Sequence, residues 1–377
     1  MLYRLLLGLP LLCALAPAQT RNAAELLGYP ATTKLLIVHA DDLAVSHSED
    51  RASFAALDRG AASSASIMVP CPWLTEVAEY AKAHPDADLG LHLTLTSEWN
   101  SYRWGPVASR NLVPGLLAAD GNLWPDSPFV TKNARPAEVE MEIRAQVERA
   151  IKVGIHPTHL DSHMAALFNP AFFSVYVKVA REYGLPFLAL RTPGAPAAML
   201  ALLKDNDLMP GAIVMATGGK PEDWKSYYLG VVKGLKPGLT ELIVHMAYDD
   251  AEMQAVTEGH PAYGQRVAAA GLRRDHRPGL PPGAQGQPGD ADRLEDHSAE
   301  NGFRQVAFTR PRALFQLRTR WSGAAGGVLL PPRTNPLPDG VLLCPFPNTT
   351  APDGPVPRDR PLPRSPGLPA QIAPKPA

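Results

Sequence analysis

Residues 35–50, LLIVHADDLAVSHSED, run from an apolar stretch straight into two adjacent carboxylates, Asp41 and Asp42, and this juncture constrains the fold more than any other. Leu35, Leu36, Ile37 and Val38 read as a strand covered on both faces, which puts the acids at its carboxyl end, where an α/β sheet opens to solvent. Neighbouring carboxylates in an apolar setting repel each other and require a cation, a proton or hydrogen-bond donors. A divalent metal meets that requirement, and so does a solvated loop that uses Asp as a helix cap.

Downstream, strands and helices alternate. A helix is expected around Glu49 to Arg59, a strand in SSASIMVPCPW, a helix opened by Thr75, and a strand over 89–95 with His92 on its polar face. Residues 97–133 are too long for an ordinary connection, and Trp99, Tyr102 and Trp104 supply flat surface suited to a sugar ring or to anchoring the loop. A helix from Pro136 to Gly154 should bury Val139, Ile143, Val147 and Ile151. In HPTHLDSH, His159, Asp161 and His163 fall at every second residue, so an extended backbone aims them at one cavity. A helix over 170–183, a strand ending at Arg191 and a further αβ alternation ending on His245, Asp249 and Asp250 complete the pattern. With no Gly-rich phosphate loop after the first strand, it predicts an α/β barrel-like fold, a distorted TIM barrel rather than a dinucleotide-binding sheet.

The termini depart from this grammar. MLYRLLLGLPLLCALAPAQT has Arg4 before a short apolar run and small residues at 14, 16 and 18, the form of a secretory signal peptide over 1–18. A secreted or periplasmic protein, without stable membrane insertion after processing, is the expectation. Beyond residue 270 lie half of the chain's 40 prolines and far more Arg than Lys, the composition of a low-order tail over 271–377, natural or frameshifted. Asn348-Thr349-Thr350 fits a glycosylation acceptor if the exporting cell is eukaryotic. Two cysteines outside the leader give no disulfide framework, and a formal net charge of −1 gives no electrostatic case for nucleic acid.

One Asp and two His from separate strand ends suffice to ligate a catalytic divalent metal, and Asp42, His92 and His163 are the best assignment. Asp41 is then the spare carboxylate, free to take a proton from the attacking water, while a metal lowers the pKa of water and polarises an acyl oxygen. His245 is the candidate acid for a departing amine, and Arg191 is placed to fix Asp41, to meet an acetyl carbonyl or merely to pair with a strand-end acid. Asp161 is assigned to orient His159 or His163.

HADDLAVS, LGLHLTL and PTHLDSH, in that order, resemble the YdjC-like, chitooligosaccharide deacetylase family over about residues 33–250, within a domain set at 30–270. The resemblance implies a barrel-like α/β fold, Mg²⁺ or Zn²⁺, often a homodimer, and removal of acetyl groups from N-acetylated amino sugars. It implies metal ligands at Asp42, His92 and His163, a base at Asp41, and further site residues at His245 and Arg191. Leu43-Ala44 stands where the family has an aromatic residue and Gly, so Ala44 should hold a negative φ. Two other readings stay open: a carbohydrate-binding protein with a vestigial metal site, and a metal-assisted hydrolase of another bond.

Overall fold

The computed structural model describes residues 22–192, 194–216 and 221–259, with backbone alone at 221–222, 303–305 and 341–344. The leader at 1–18 and most of the tail from 271, including Asn348–Thr350, lie outside the described residues.

A short capped helix, α1 (Ala23–Leu26), precedes β1 (Lys34–Leu43), which is buried from Leu35 onward. Then follow α2 (His47–Asp58), β2 (Ser64–Ile67), α3 (Leu74–Ala83) and β3 (Leu89–Leu93). Beyond the excursion and its helix α4 (Ser127–Asn133) come α5 (Pro136–Lys152), β4 (Leu160–Ser162) and α6 (Pro170–Tyr183). The chain continues through α7 (Ala197–Leu200), β5 (Ala212–Met215), α8 (Pro221–Gly234), β6 (Gly238–Tyr248) and α9 (Ala251–Val256). No helix among the described residues is long and apolar enough to cross a membrane.

Six strands pair in the order β4-β3-β2-β1-β6-β5, every neighbour parallel. Phe187 adds a single parallel bridge to Leu160 on the outer side of β4, so the PFLALR stretch is a bridge rather than the full strand expected. Taken cyclically, the order is β1, β2, β3, β4, Phe187, then β5, β6 and back to β1. This is the winding of a (β/α) barrel, with no pairing described between Phe187 and β5. Two elements arise within the stretch read as a tail of low order: β7 (Phe303–Gln305) pairs with the start of β1, and β8 (Val341–Cys344) runs antiparallel to the end of β6.

Strand alternation sorts side chains between two compartments. Leu36, Val38 and Ala40 face the large core formed with the helices. Leu35, Ile37 and Leu239 face inward, where Ala23, Ala24 and Leu188 close the amino-terminal end of the barrel. Two local expectations fail. The helix expected to be capped by Thr75 starts at Leu74, with Trp73 at the cap and no side-chain bond to it. On α5, Ile151 is 44% exposed and Ala150 takes its place in the buried stripe, because a 3.6-residue period drifts off a strict spacing of four.

Candidate metal centre and catalytic site

β1 ends in a turn that separates the tasks of its two acids. Asp42 (φ 66°) and Ala44 (φ 77°) both lie in the left-handed region, so the negative φ expected at Ala44 is corrected. L-residues there carry strain that the surroundings must hold. The Asp50 carboxylate accepts from Ala44 N at 2.6 Å, Val45 N donates to Asp42 O, and Tyr102 Oη donates to Val45 O at 2.7 Å.

The turn swings Asp42 towards two histidines from other strand ends. Its Oδ1 lies 3.2 Å from His163 Nδ1 and 3.4 Å from His92 Nε2, and although buried it makes no hydrogen bond of good geometry among the described residues. One donor atom from each of Asp42, His92 and His163 falls within 4.8 Å of the others. Both imidazoles are oriented from behind. His92 Nδ1 donates to Asp161 Oδ1 at 2.6 Å and His163 Nε2 to Glu98 Oε2 at 3.1 Å, so each ring's inward nitrogen is directed at Asp42. Buried convergent donors, an under-bonded carboxylate oxygen and carboxylates behind both rings fit a divalent cation.

The electrostatics agree. Burial would raise the Asp42 carboxyl, but the positive charge of His163 beside it, with that of His92, outweighs it and holds Asp42 at about 2. Burial would lower His163, yet Glu98 and Asp42 keep it well above the ordinary imidazole range. His92 is likewise raised against its burial, chiefly by Asp161 and Asp41. These acids draw positive charge into the pocket, and protons on the histidines supply it where a cation would.

Asp41, on the inward face of β1, uses its other oxygen differently. Oδ1 accepts from Ser66 Oγ at 3.2 Å and lies 3.1 Å from His39 Nε2. Oδ2 faces the site, 3.8 Å from both His92 Nε2 and His245 Nε2. His245 Nε2 is also 3.7 Å from Asp42 Oδ2, so it stands beside the paired acids. Burial, reinforced by His92 and His163, holds His245 below its ordinary value against the pull of Asp42 and Asp41.

Several assignments need correction. Asp161 does not orient His159 or His163: it bonds His92 and His39, while His159 Nδ1 meets Thr158 Oγ1 at 2.9 Å and lies 3.5 Å from Asp88. Arg191 bonds the Leu203 carbonyl at 3.1 Å and sits 3.6 Å from Asp205 on an exposed stretch, because the chain there leaves the sheet after its single bridge. Trp99 and Trp104 are buried, and Trp104 Nε1 donates to Thr96 O, so they pin the excursion and present no open face. Half-buried Tyr102 serves the same end through Val45. Asp250 caps α9 and Asp249 accepts from Gln254.

Two residues were missed. His39 could have been found, since it lies two positions before Asp41 on the same strand face. Glu98 carries no such signal. It reaches His163 because the excursion is tied back: Ser97 N donates to Trp124 O, Glu142 accepts from Val107 N and Ala108 N, and Glu138 from Gly115 N.

An α/β barrel with Asp42, His92 and His163 gathered beside a second acid, Asp41, at its strand ends defines the class, and residues 35–276 match the YdjC-like protein family model. The chain belongs to the YdjC-like family. It is 32% identical over 234 residues to a carbohydrate deacetylase of Thermus thermophilus, covering 60% of this chain and 82% of that protein. It is 27% identical over 228 residues to a carbohydrate deacetylase of Thermoanaerobacter pseudethanolicus, covering 60% and 86%. A crystal structure of an Enterococcus faecalis protein named for cellobiose-phosphate cleavage shares the fold, with a TM-score of 0.56 at 22% identity over 75% of this chain and 99% of that one.

Proposed function

We propose that the protein is a metal-dependent hydrolase that removes acetyl groups from N-acetylated saccharides. The observation that carries this reading is the convergence of Asp42 with His92 and His163 at the end of β1. Asp41 also groups with His92 and Asp161, but both oxygens of Asp161 are bonded to His92 and His39, which leaves Asp41 with Oδ2 turned to the site as the base. The relatives named as carbohydrate deacetylases support the substrate class.

A divalent ion held by Asp42, His92 and His163, Mg²⁺ or Zn²⁺, would polarise the acetyl carbonyl and acidify the attacking water. The chain's own residues do the rest. Asp161 and Glu98 fix the two imidazoles, and Ser66 and His39 hold Asp41 Oδ1, leaving Oδ2 to accept the proton as water oxygen bonds to the carbonyl carbon. His245, kept unprotonated by burial and 3.8 Å from Asp41 Oδ2, receives that proton and delivers it to the amide nitrogen as the C–N bond breaks. A free amine and acetic acid leave, and the acid gives its remaining proton to solvent to become acetate. The apolar leader supports action outside the cytoplasm.

The test is acetate release from a panel of N-acetylated oligosaccharides by metal-stripped and metal-restored protein. Release that requires metal is the expected result. Release that persists after stripping contradicts the mechanism, and sugar binding with no release under any metal favours a carbohydrate-binding protein.

A further inference from the structure

His39 is wholly buried on β1, and its bonding reaches further than Asp41. Its Nδ1 lies 2.9 Å from Ser64 Oγ. Its Nε2 lies 3.0 Å from Asp161 Oδ2, 3.1 Å from Asp41 Oδ1 and 3.1 Å from Ser66 Oγ. Carboxylates only accept, so Nε2 carries hydrogen and presents no lone pair to an ion, although His39, His159 and Asp161 offer donor atoms within 4.8 Å of one another. Burial would lower His39, but the bonds to Asp161 and Asp41 and the charge of Asp41 hold it above the ordinary imidazole range. Nε2 thus stands as a donor between two buried acids.

The intervening strands make room for this contact. Asp161 is on β4, two strands beyond the neighbour of β1, and neighbouring strands stand about 4.8 Å apart. The imidazole spans that gap only along a chord through the barrel. The inward positions beneath it are small: Ser64 and Ser66 on β2, and Gly90 on β3, where a Cβ would come within 2.2 Å of His159 Nε2.

We infer that His39 is a positioning residue that locks Asp41 and Asp161 into one frame, so that a single imidazole fixes both the carboxylate facing the water and, through Asp161, the ring of His92. The part concerning Asp41 rests on the deacetylase reading. The part concerning His92 does not, because it is read in metal affinity.

The test compares His39→Gln with His39→Asn in the full-length chain. A glutamine amide reaches about as far as Nε2, whereas an asparagine amide stops near Nδ1 and also leaves a void. His39→Met, of glutamine's length but without a donor, separates positioning from packing, since it keeps the packing and should still weaken Zn²⁺ binding as His39→Asn does. Zn²⁺ affinity in His39→Met equal to that of His39→Gln overturns the inference. Calorimetric titration of metal-stripped protein with Zn²⁺ should leave His39→Gln near wild type and weaken His39→Asn by about 10–100-fold, the usual effect of losing support behind a ligand. In Zn²⁺-saturated protein, kcat of His39→Asn should fall with KM unchanged, and His39→Gln should recover most of it. Equal Zn²⁺ affinity in His39→Gln and His39→Asn, whether both intact or both weakened, overturns the inference. If neither variant folds, Ser64→Ala decides the matter: releasing the Nδ1 side should weaken Zn²⁺ binding, and unchanged affinity overturns the proposal. Wild-type protein that releases no acetate refutes the deacetylase reading alone, and the Zn²⁺ affinities still judge His39.

Discussion

Each carboxylate in the barrel does what its neighbours compel. Asp161 and Glu98 accept from the outer nitrogens of His92 and His163, so Asp161→Asn and Glu98→Gln should each weaken Zn²⁺ affinity by about 10–100-fold on calorimetric titration. Unchanged affinity would mean that the rings are oriented without them. Glu241 is the opposite case: fully buried, with neither oxygen hydrogen-bonded among the described residues, it is pushed up to about 8 by burial, against the pull of His39. The folded chain keeps a proton there that the unfolded chain releases above about 4.5, so stability is full below that pH and falls as pH rises to about 8. Glu241→Gln stays neutral, and its unfolding free energy should fall less steeply between those values, by up to about 1.4 kcal/mol per pH unit. Parallel denaturation curves for the two proteins would show that Glu241 titrates normally.

At the scale of elements, the turn from β1 into α2 carries the strain and the devices that hold it. Ala44 at φ 77° should gain about 0.5–1 kcal/mol on Ala44→Gly, relief of the left-handed cost less the entropy that glycine adds to the unfolded chain. Denaturant midpoints check the sign, and a loss would mean that the methyl packs more than it strains. Glu252, at the start of α9, accepts from His47 N and Ser48 N and so caps α2 from across the domain. Glu252→Ala should cost about 1 kcal/mol of stability in the same experiment. Elements with a strong period were legible in the sequence: the apolar run of β1 and the helices over 136–152 and 170–183 stand where their patterns put them. Trp73 at the α3 cap, the exposed Ile151 and the lone bridge at Phe187 were not, because capping geometry and sheet edges depend on tertiary contacts that no local pattern records.

At the scale of the molecule, strand and helix alternation announced a barrel, and polar groups at strand ends announced where its chemistry lies. The contacts across the barrel stayed hidden. Asp161 answers to His92 on the next strand and to His39 across the interior, and Glu98 arrives on a folded-back excursion. Arg191 was expected at the site and the structure leaves it outside. Sequence spacing encodes which face a residue takes, whereas closing the sheet decides whom it meets. Hydrolysis as proposed requires Asp41 to act on water without holding the ion. Its most direct test is Asp41→Asn, assayed for Zn²⁺ affinity and acetate release together: affinity near wild type with turnover lower by about 10²–10⁴-fold is the expected result. Full turnover, or loss of Zn²⁺ binding to the extent seen with Asp42→Asn, would contradict it.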